Sequence, residues 1–209
     1  MDRETETGAV RHAGRAGTQV AALGRARICM KRAAESRRSP PSHAGPCQAF
    51  IALGSNLGHS LQIIRQAIER LQSLSASPLL ISSLWRTTPV DCPPGSPDFI
   101  NSMVGLAPRA GETPESLLAA LRDLERKFGR GPKTILNAPR PLDLDLIAFG
   151  EEVRATRELV LPHPRAHLRR FVLQPLSEIA PDLILPGSTC SVAQLLRDLP
   201  SDDRICKLD

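Results

Sequence analysis

The sequence predicts an α+β sandwich built on a mainly antiparallel sheet, and three observations carry that expectation. Candidate strands and helices follow the order β-α-β-β-α-β between residues 48 and 150, with helical additions after them. The two helices of that series each carry one apolar stripe, so each has a face to bury against a sheet. The stretch between the two middle strands, DCPPGSPD (91–98), is too rich in proline to be regular.

Taken in order, QAFIALG (48–54) is a short buried strand broken by Gly54. HSLQIIRQAIERLQSL (59–74) spaces Leu61, Ile64, Ile68 and Leu71 as one stripe of an amphipathic helix. LLISSLWRT (79–87) and FINSMVGLA (99–107) are the next two strands. Thr113 then caps a helix with Pro114 at its first position and Glu115 in its first turn. Leu117, Leu121, Leu124 and Phe128 line one face of that helix, and Gly129 stops it. A loop over 129–141 leads into a strand beginning near Leu142. A further strand is expected near 153–161, a short helical segment around 165–180, and a final helix capped by Ser191 over 191–199.

Composition narrows the function. The chain of 209 residues is 41% hydrophobic, enough for a real core, and no apolar run approaches the ~18–20 residues that span a bilayer. Its five cysteines (Cys29, Cys47, Cys92, Cys190 and Cys206) are scattered and include no C-x-x-C pair. That pattern argues against a disulfide framework or a zinc site and favours a reducing cytosol. The net charge of +5 is local: residues 1–49 carry nine Lys/Arg and four Asp/Glu, and the remaining residues carry eighteen of each. A neutral folded part has no broad nucleic-acid footprint. Residues 1–46 are expected to be a disordered basic extension, rich in Ala, Gly, Arg and Ser and ending in a proline-rich linker, with Met30 an alternative start. Residues 47–209 form the domain.

The chemistry starts at NAPRPLDLDLIAFG (137–150), where Asp143 and Asp145 interrupt an apolar strand two positions apart. Residues i and i+2 of a strand face the same way, and two such carboxylates repel each other and resist ionising together. Three uses are open: metal binding, acid–base catalysis, or an ion pair with nearby Arg140. Metal binding fits the neighbours better, because Mg²⁺ takes one or two carboxylates together with substrate phosphates. Arg130, Lys133 and Arg140 lie on the preceding loop, and LPHPRAHLRRF (161–171) adds His163, Arg165, His167, Arg169 and Arg170. Arginine forks suit phosphate oxygens, and lysine serves as a point charge. GSNLGHS (54–60) is not a Walker-type phosphate loop and reads as a strand-to-helix turn.

Seven blocks then align with one family. AFIALGSNLG (49–58), WRTTPV (85–90), PDFINSMVGL (97–106), LERKFGR (124–130), NAPRPLDLDLIAFG (137–150), LPHPRAHLRRFVLQPL (161–176) and EIAPDLILPG (178–187) occur in the right order and spacing. Together they make the chain resemble the 6-hydroxymethyl-7,8-dihydropterin pyrophosphokinases of folate biosynthesis. The resemblance implies a ferredoxin-like fold and transfer of pyrophosphate from ATP to the pterin hydroxymethyl group, releasing AMP. It implies that Asp143 and Asp145 hold two Mg²⁺ ions. It puts Thr87, Val90, Phe99, Asn101 and Phe171 in the pterin pocket, with the two phenylalanines sandwiching the ring. Glu125, Arg130, Lys133, Arg140, His163 and Arg169 match nucleotide- and phosphate-side positions, with Arg130 and Arg140 counted among the catalytic residues.

The chain departs from the family pattern where Asn137 replaces a frequent tryptophan, Pro164 a common tyrosine, and Phe99 a stacking tyrosine. The last exchange keeps the π-face and loses a hydroxyl. Ferredoxin-like sheets also bind single-stranded RNA, but with no Tyr, one Trp and five Phe the chain lacks the aromatic platform that use requires. The expected partners are therefore ATP and the pterin, with no nucleic acid and no membrane, for a monomer in the cytoplasm.

Overall fold

The structure, a computed structural model, describes residues 48–131, 138–200 and 205–208. The expected extension, Lys133 and Asn137 lie outside them. Six strands form one sheet: β1 (Ala49–Ser55), β2 (Leu80–Ile81), β3 (Trp85–Thr87), β4 (Phe99–Leu106), β5 (Asp143–Phe149) and β8 (Ile205–Lys207). The helices are α1 (Ser60–Gln72), α2 (Pro114–Lys127), α3 (Arg170–Ile179) and α4 (Val192–Asp198). Strand order is β5-β1-β4-β3-β8 with β2 beside β4, and every pairing is antiparallel. For the four strands of the β-α-β-β-α-β series this is the ferredoxin-like order 4-1-3-2.

β1 and β4 are central, so helices cover both of their faces and neither shows the alternation of a half-exposed strand. On one face Ile51, Leu53, Val104, Leu144 and Leu146 pack with Ile64 and Leu71 of α1 and Leu117 and Leu121 of α2. On the other, Phe50, Met103 and Ile147 pack with Val172, Leu173 and Leu176 of α3 and Val192 and Leu195 of α4. A register shift opposite Phe50 and Ile51 inserts one residue in β5. Ile147 and Ala148 therefore both belong to the α3/α4 side, which accounts for the unbroken apolar run.

Local chemistry fixes the helix ends as expected. The Thr113 hydroxyl accepts from the Ser116 N–H at 3.1 Å, the Ser116 hydroxyl accepts from the Thr113 N–H at 2.9 Å, and Gly129 ends the helix at φ +85°. Ser191 and Gln194 form the same reciprocal box at α4.

Four expectations need correcting. Leu61 is exposed, and the buried stripe of α1 is Ile64, Ala67 and Leu71. The strand expected over 79–87 is split into β2 and β3. The cause is Ser82, whose hydroxyl accepts from the Met103 N–H at 2.8 Å in place of a backbone carbonyl. The segment near 153–161 is a hairpin of β6 (Arg154–Ala155) and β7 (Val160–Leu161) outside the main sheet. It turns because the Thr156 hydroxyl and backbone both bond to Leu159. Cys190 is disulfide-bonded, whereas Cys92 and Cys206 are free thiols. β8 was not foreseen; three residues with no clear pattern gain their strand only by pairing with β3. Among the described residues no helix is long and apolar enough to cross a membrane.

Candidate active site

The α3/α4 layer covers only part of its sheet face. Beyond Phe50, Met103 and Ile147 the same face continues as Ala52 and Gly54 on β1, Phe99 and Asn101 on β4, and Asp143 and Asp145 on β5. The register makes this a compact array: Gly54 stands opposite both Asn101 and Asp143, and Ala52 opposite Asp145. Small residues in the middle strand form a floor between taller walls. A Cβ on Gly54 would come within 3.2 Å of Asn101 Oδ1, so any larger residue would push the Asn101 amide by a few tenths of an ångström.

A cleft opens over this floor. Its lining includes Thr87, Val90, Phe99, Asn101 and Phe171, all five residues the sequence assigned to the pterin, together with Arg140, Asp143, Asp145 and Arg169. The two ends differ in character. At one, Asn101 Nδ2 donates to Thr87 Oγ1 at 2.7 Å, leaving the amide oxygen for another donor. Arg140 lies over the Phe99 ring at 5.8 Å and Arg169 over the Phe171 ring at 5.3 Å, so each aromatic face already attracts a cation.

At the other end stand the carboxylates. Asp143 Oδ1 accepts from Arg130 Nη1 at 2.7 Å, and Asp143 Oδ2 lies 3.5 Å from Arg140 Nε. Burial, and next the neighbouring Asp143, push the Asp145 carboxyl above the usual range, against the pull of Arg169, Arg140 and Arg130. The ion pair weighed from sequence is therefore real at Asp143, mainly through Arg130, and Asp145 is the member whose charge is poorly supported. Two oxygen ligands facing a cleft with phosphate-type cations beside them fit Mg²⁺, which takes few protein carboxylates. Among the described residues no cluster of three or more metal-ligating side chains competes as an all-protein site.

Glu125, Arg130 and His163 do not line the cleft. Glu125 is buried behind it, where Oε1 accepts from the Leu144 N–H at 2.7 Å and from Arg130. Burial holds its carboxyl above the usual range, against the pull of the Leu144 N–H and Arg130. His163 Nδ1 accepts from the Arg165 N–H at 3.3 Å. Burial, then Arg169 and Arg165, lower its imidazole to about 4, so it is neutral at pH 7. Burial lowers the Arg169 guanidinium as well. Arg169 occupies the extended break between a 3₁₀ turn (Ala166–Leu168) and α3.

Sequence reasoning missed Thr88, Asp91 and Cys92 in the cleft lining, and Asn56 behind it. Asp91 adopts φ +56°, a left-handed conformation that its residue type permits but does not announce. Asn56 lay in a stretch read only as a turn.

A ferredoxin-like sandwich that gathers carboxylates, arginines and aromatic rings into one cleft has the equipment of a transferase acting on phosphate groups. Residues 50–181 match the family of 7,8-dihydro-6-hydroxymethylpterin-pyrophosphokinase. The chain is 37% identical over 162 residues to the 2-amino-4-hydroxy-6-hydroxymethyldihydropteridine pyrophosphokinase of Synechocystis sp., covering 77% of this chain and 81% of that one. It is 33% identical over 162 residues to the enzyme of the same name from Haemophilus influenzae, covering 77% and 98%. The fold is similar to that of wild-type Plasmodium falciparum HPPK-DHPS, solved with pteroate, at a TM-score of 0.57 and 13% identity. That likeness covers 73% of this chain and 42% of the Plasmodium chain. The chain belongs to the 7,8-dihydro-6-hydroxymethylpterin-pyrophosphokinase family, the pyrophosphokinases of folate biosynthesis.

Proposed function

We propose that the protein transfers pyrophosphate from ATP to the hydroxymethyl group of 6-hydroxymethyl-7,8-dihydropterin, giving the pterin diphosphate and AMP. One observation carries this reading: a single cleft has a ring-binding end and a carboxylate end, with Arg140 and Arg169 between them. Phe99 and Phe171 hold the pterin plane, and Asn101 and Thr87 address its polar edge. The hydroxymethyl oxygen forms a bond to the β-phosphorus as the bond from that phosphorus to the AMP oxygen breaks. Reactions of this type depend on positioning and charge stabilisation, which this set of side chains supplies.

Asp143 and Asp145 are the residues that would hold two Mg²⁺ ions, whose chemistry is to neutralise charge on the polyphosphate. Arg130, Lys133, Arg140, His163 and Arg169 serve the nucleotide and its phosphates. Glu125 acts through Arg130 and the start of β5, as a positioning residue. His163, neutral at pH 7, offers hydrogen bonds without charge. No side chain is assigned as general base; the hydroxyl proton passes to solvent. Residues 47–209 are the catalytic domain, working as a monomer. The deciding experiment is AMP formation from ATP. It should appear with Mg²⁺ only when the hydroxymethyl-dihydropterin is added, and AMP release without the pterin would defeat the assignment.

A further inference from the structure

Asn56 follows β1 directly, is 3% exposed, and makes three hydrogen bonds to two loops on opposite sides of the strand. Its backbone N–H donates to the Arg140 carbonyl at 3.2 Å, and its Oδ1 accepts from the Arg140 N–H at 2.9 Å. The amide thus extends the β1–β5 pairing past Gly54 and Asp143, with a side chain standing in for a backbone carbonyl. On the other side Nδ2 donates to the Pro97 carbonyl at 3.2 Å, at the end of the proline-rich loop, two residues before Phe99. Only one orientation of the amide serves both contacts, because one partner is a donor and the other an acceptor.

The two tethered segments bring a phosphate-side residue and a pterin-side residue to the same cleft. The Arg140 segment holds the guanidinium that sits 3.5 Å from Asp143 and 5.8 Å over the Phe99 ring. The Pro97 segment closes the loop that brings Val90 and Cys92 to the lining and delivers Phe99. Phe99 is fixed by its pairing with Thr87, whereas Arg140 and Pro97 lie outside helix and strand, so where Arg140 stands relative to Phe99 depends on what ties these loops to the sheet. A buried asparagine between them is suited to that task, since each of its polar atoms would be costly to leave unpaired.

We propose that Asn56 is a positioning residue that sets the distance between the phosphate-side Arg140 and the pterin-side Phe99, so that both substrates are held in register for transfer. This rests on the assignment of those two residues in the proposed function. The test uses Asn56→Ala, which removes both side-chain bonds, and Asn56→Asp, which keeps the acceptor for the Arg140 N–H and loses the donor to Pro97. Calorimetric titrations with the pterin and with an unreactive ATP analogue, plus steady-state kinetics and melting, are run on full-length protein. Asn56→Asp should weaken pterin binding about five- to tenfold, the scale of one hydrogen bond, and change nucleotide binding less than about twofold. Asn56→Ala should lower kcat further than either binding constant changes, because it frees both loops.

Equal losses for both ligands in Asn56→Asp, or unchanged binding and turnover in both variants, would overturn the proposal. Failure of both variants to fold would overturn it too, by making Asn56 a structural residue. Arg140→Ala and Phe99→Ala are titrated alongside. If these do not separate nucleotide from pterin, the site assignment falls and the Asn56 proposal with it. If they do and the Asn56 variants do not, only the latter fails.

Discussion

Arg130 Nη1 lies 2.7 Å from Asp143 Oδ1 and also reaches Glu125, so one guanidinium bridges a cleft carboxylate and a buried one. Asp143 thus stands compensated, while Asp145, two residues along, has burial and Asp143 against its charge. Removing Asp143 leaves Arg130 its bond to Glu125 and takes from Arg140 one 3.5 Å contact while Asp145 still faces it, and removing Asp145 leaves Asp143 paired. Asp143→Ala and Asp145→Ala should each lower turnover by more than about a hundredfold, beyond the usual loss for an outer-sphere change at a metal site. Neither should melt appreciably below the parent protein, and Asp145→Ala relieves a repulsion. Steady-state rates at saturating Mg²⁺ and thermal melts check this; near-normal turnover in either variant would sink the metal assignment.

Much of this end of the site was legible in the sequence because strand periodicity alone puts Asp143 and Asp145 on one face. The caps at Thr113 and Ser191 were legible for the same reason, since their partners lie three residues away. What stayed hidden depends on long-range partners. Ser82 breaks a strand only because Met103 stands beside it, and Ile205–Lys207 is a strand only because β3 offers an edge. Nothing local announces that Arg130 also bonds two carboxylates, one thirteen residues away and one five. Asn56 looked like part of a turn because its bonds reach residues 41 and 84 positions off.

Phe99 and Phe171 each carry a cation over the ring, and both line the cleft. Their truncation removes the stacking surfaces without touching the carboxylates. Phe99→Ala and Phe171→Ala should each weaken pterin binding by about 1–3 kcal/mol, the range for a base on an aromatic ring. ATP affinity should move much less. Calorimetry with each substrate separates the outcomes, and equal losses for both would mark the rings as core residues.

His163 gives a pH signature. Its imidazole is held at about 4 by burial and by Arg169 and Arg165, against an ordinary value of 6.5. The unfolded chain therefore binds the proton first, and stability falls as pH drops from about 6.5 towards 4. The contribution is complete above 6.5 and stops changing below about 4. His163→Asn, which can still accept from the Arg165 N–H, should flatten that part of the stability profile relative to the parent. Denaturant midpoints between pH 4 and 7.5 test it: parallel profiles for the two proteins would show that His163 is not held neutral.

Residues 1–45 hold the whole net charge, few large apolar groups and a proline-rich exit. A segment of that composition has little to bury, and the sheet, both helical layers and the described cleft residues all lie beyond it. A chain starting at Cys47 should therefore melt at the same midpoint and turn over at the same rate as the full chain. Its formal charge falls from +5 to zero, because the residues that remain carry eighteen basic and eighteen acidic groups. Lower solubility near neutral pH should accompany that loss, since colloidal stability depends on net charge. The two proteins are compared in one buffer by melting, steady-state kinetics and a precipitation curve. Because Cys190 is disulfide-bonded, the comparison is made with and without reductant, so that an effect of the bond is not assigned to the extension. A truncated protein that loses activity or most of its thermal stability under reducing conditions would show that the extension packs onto the domain, against what its composition dictates.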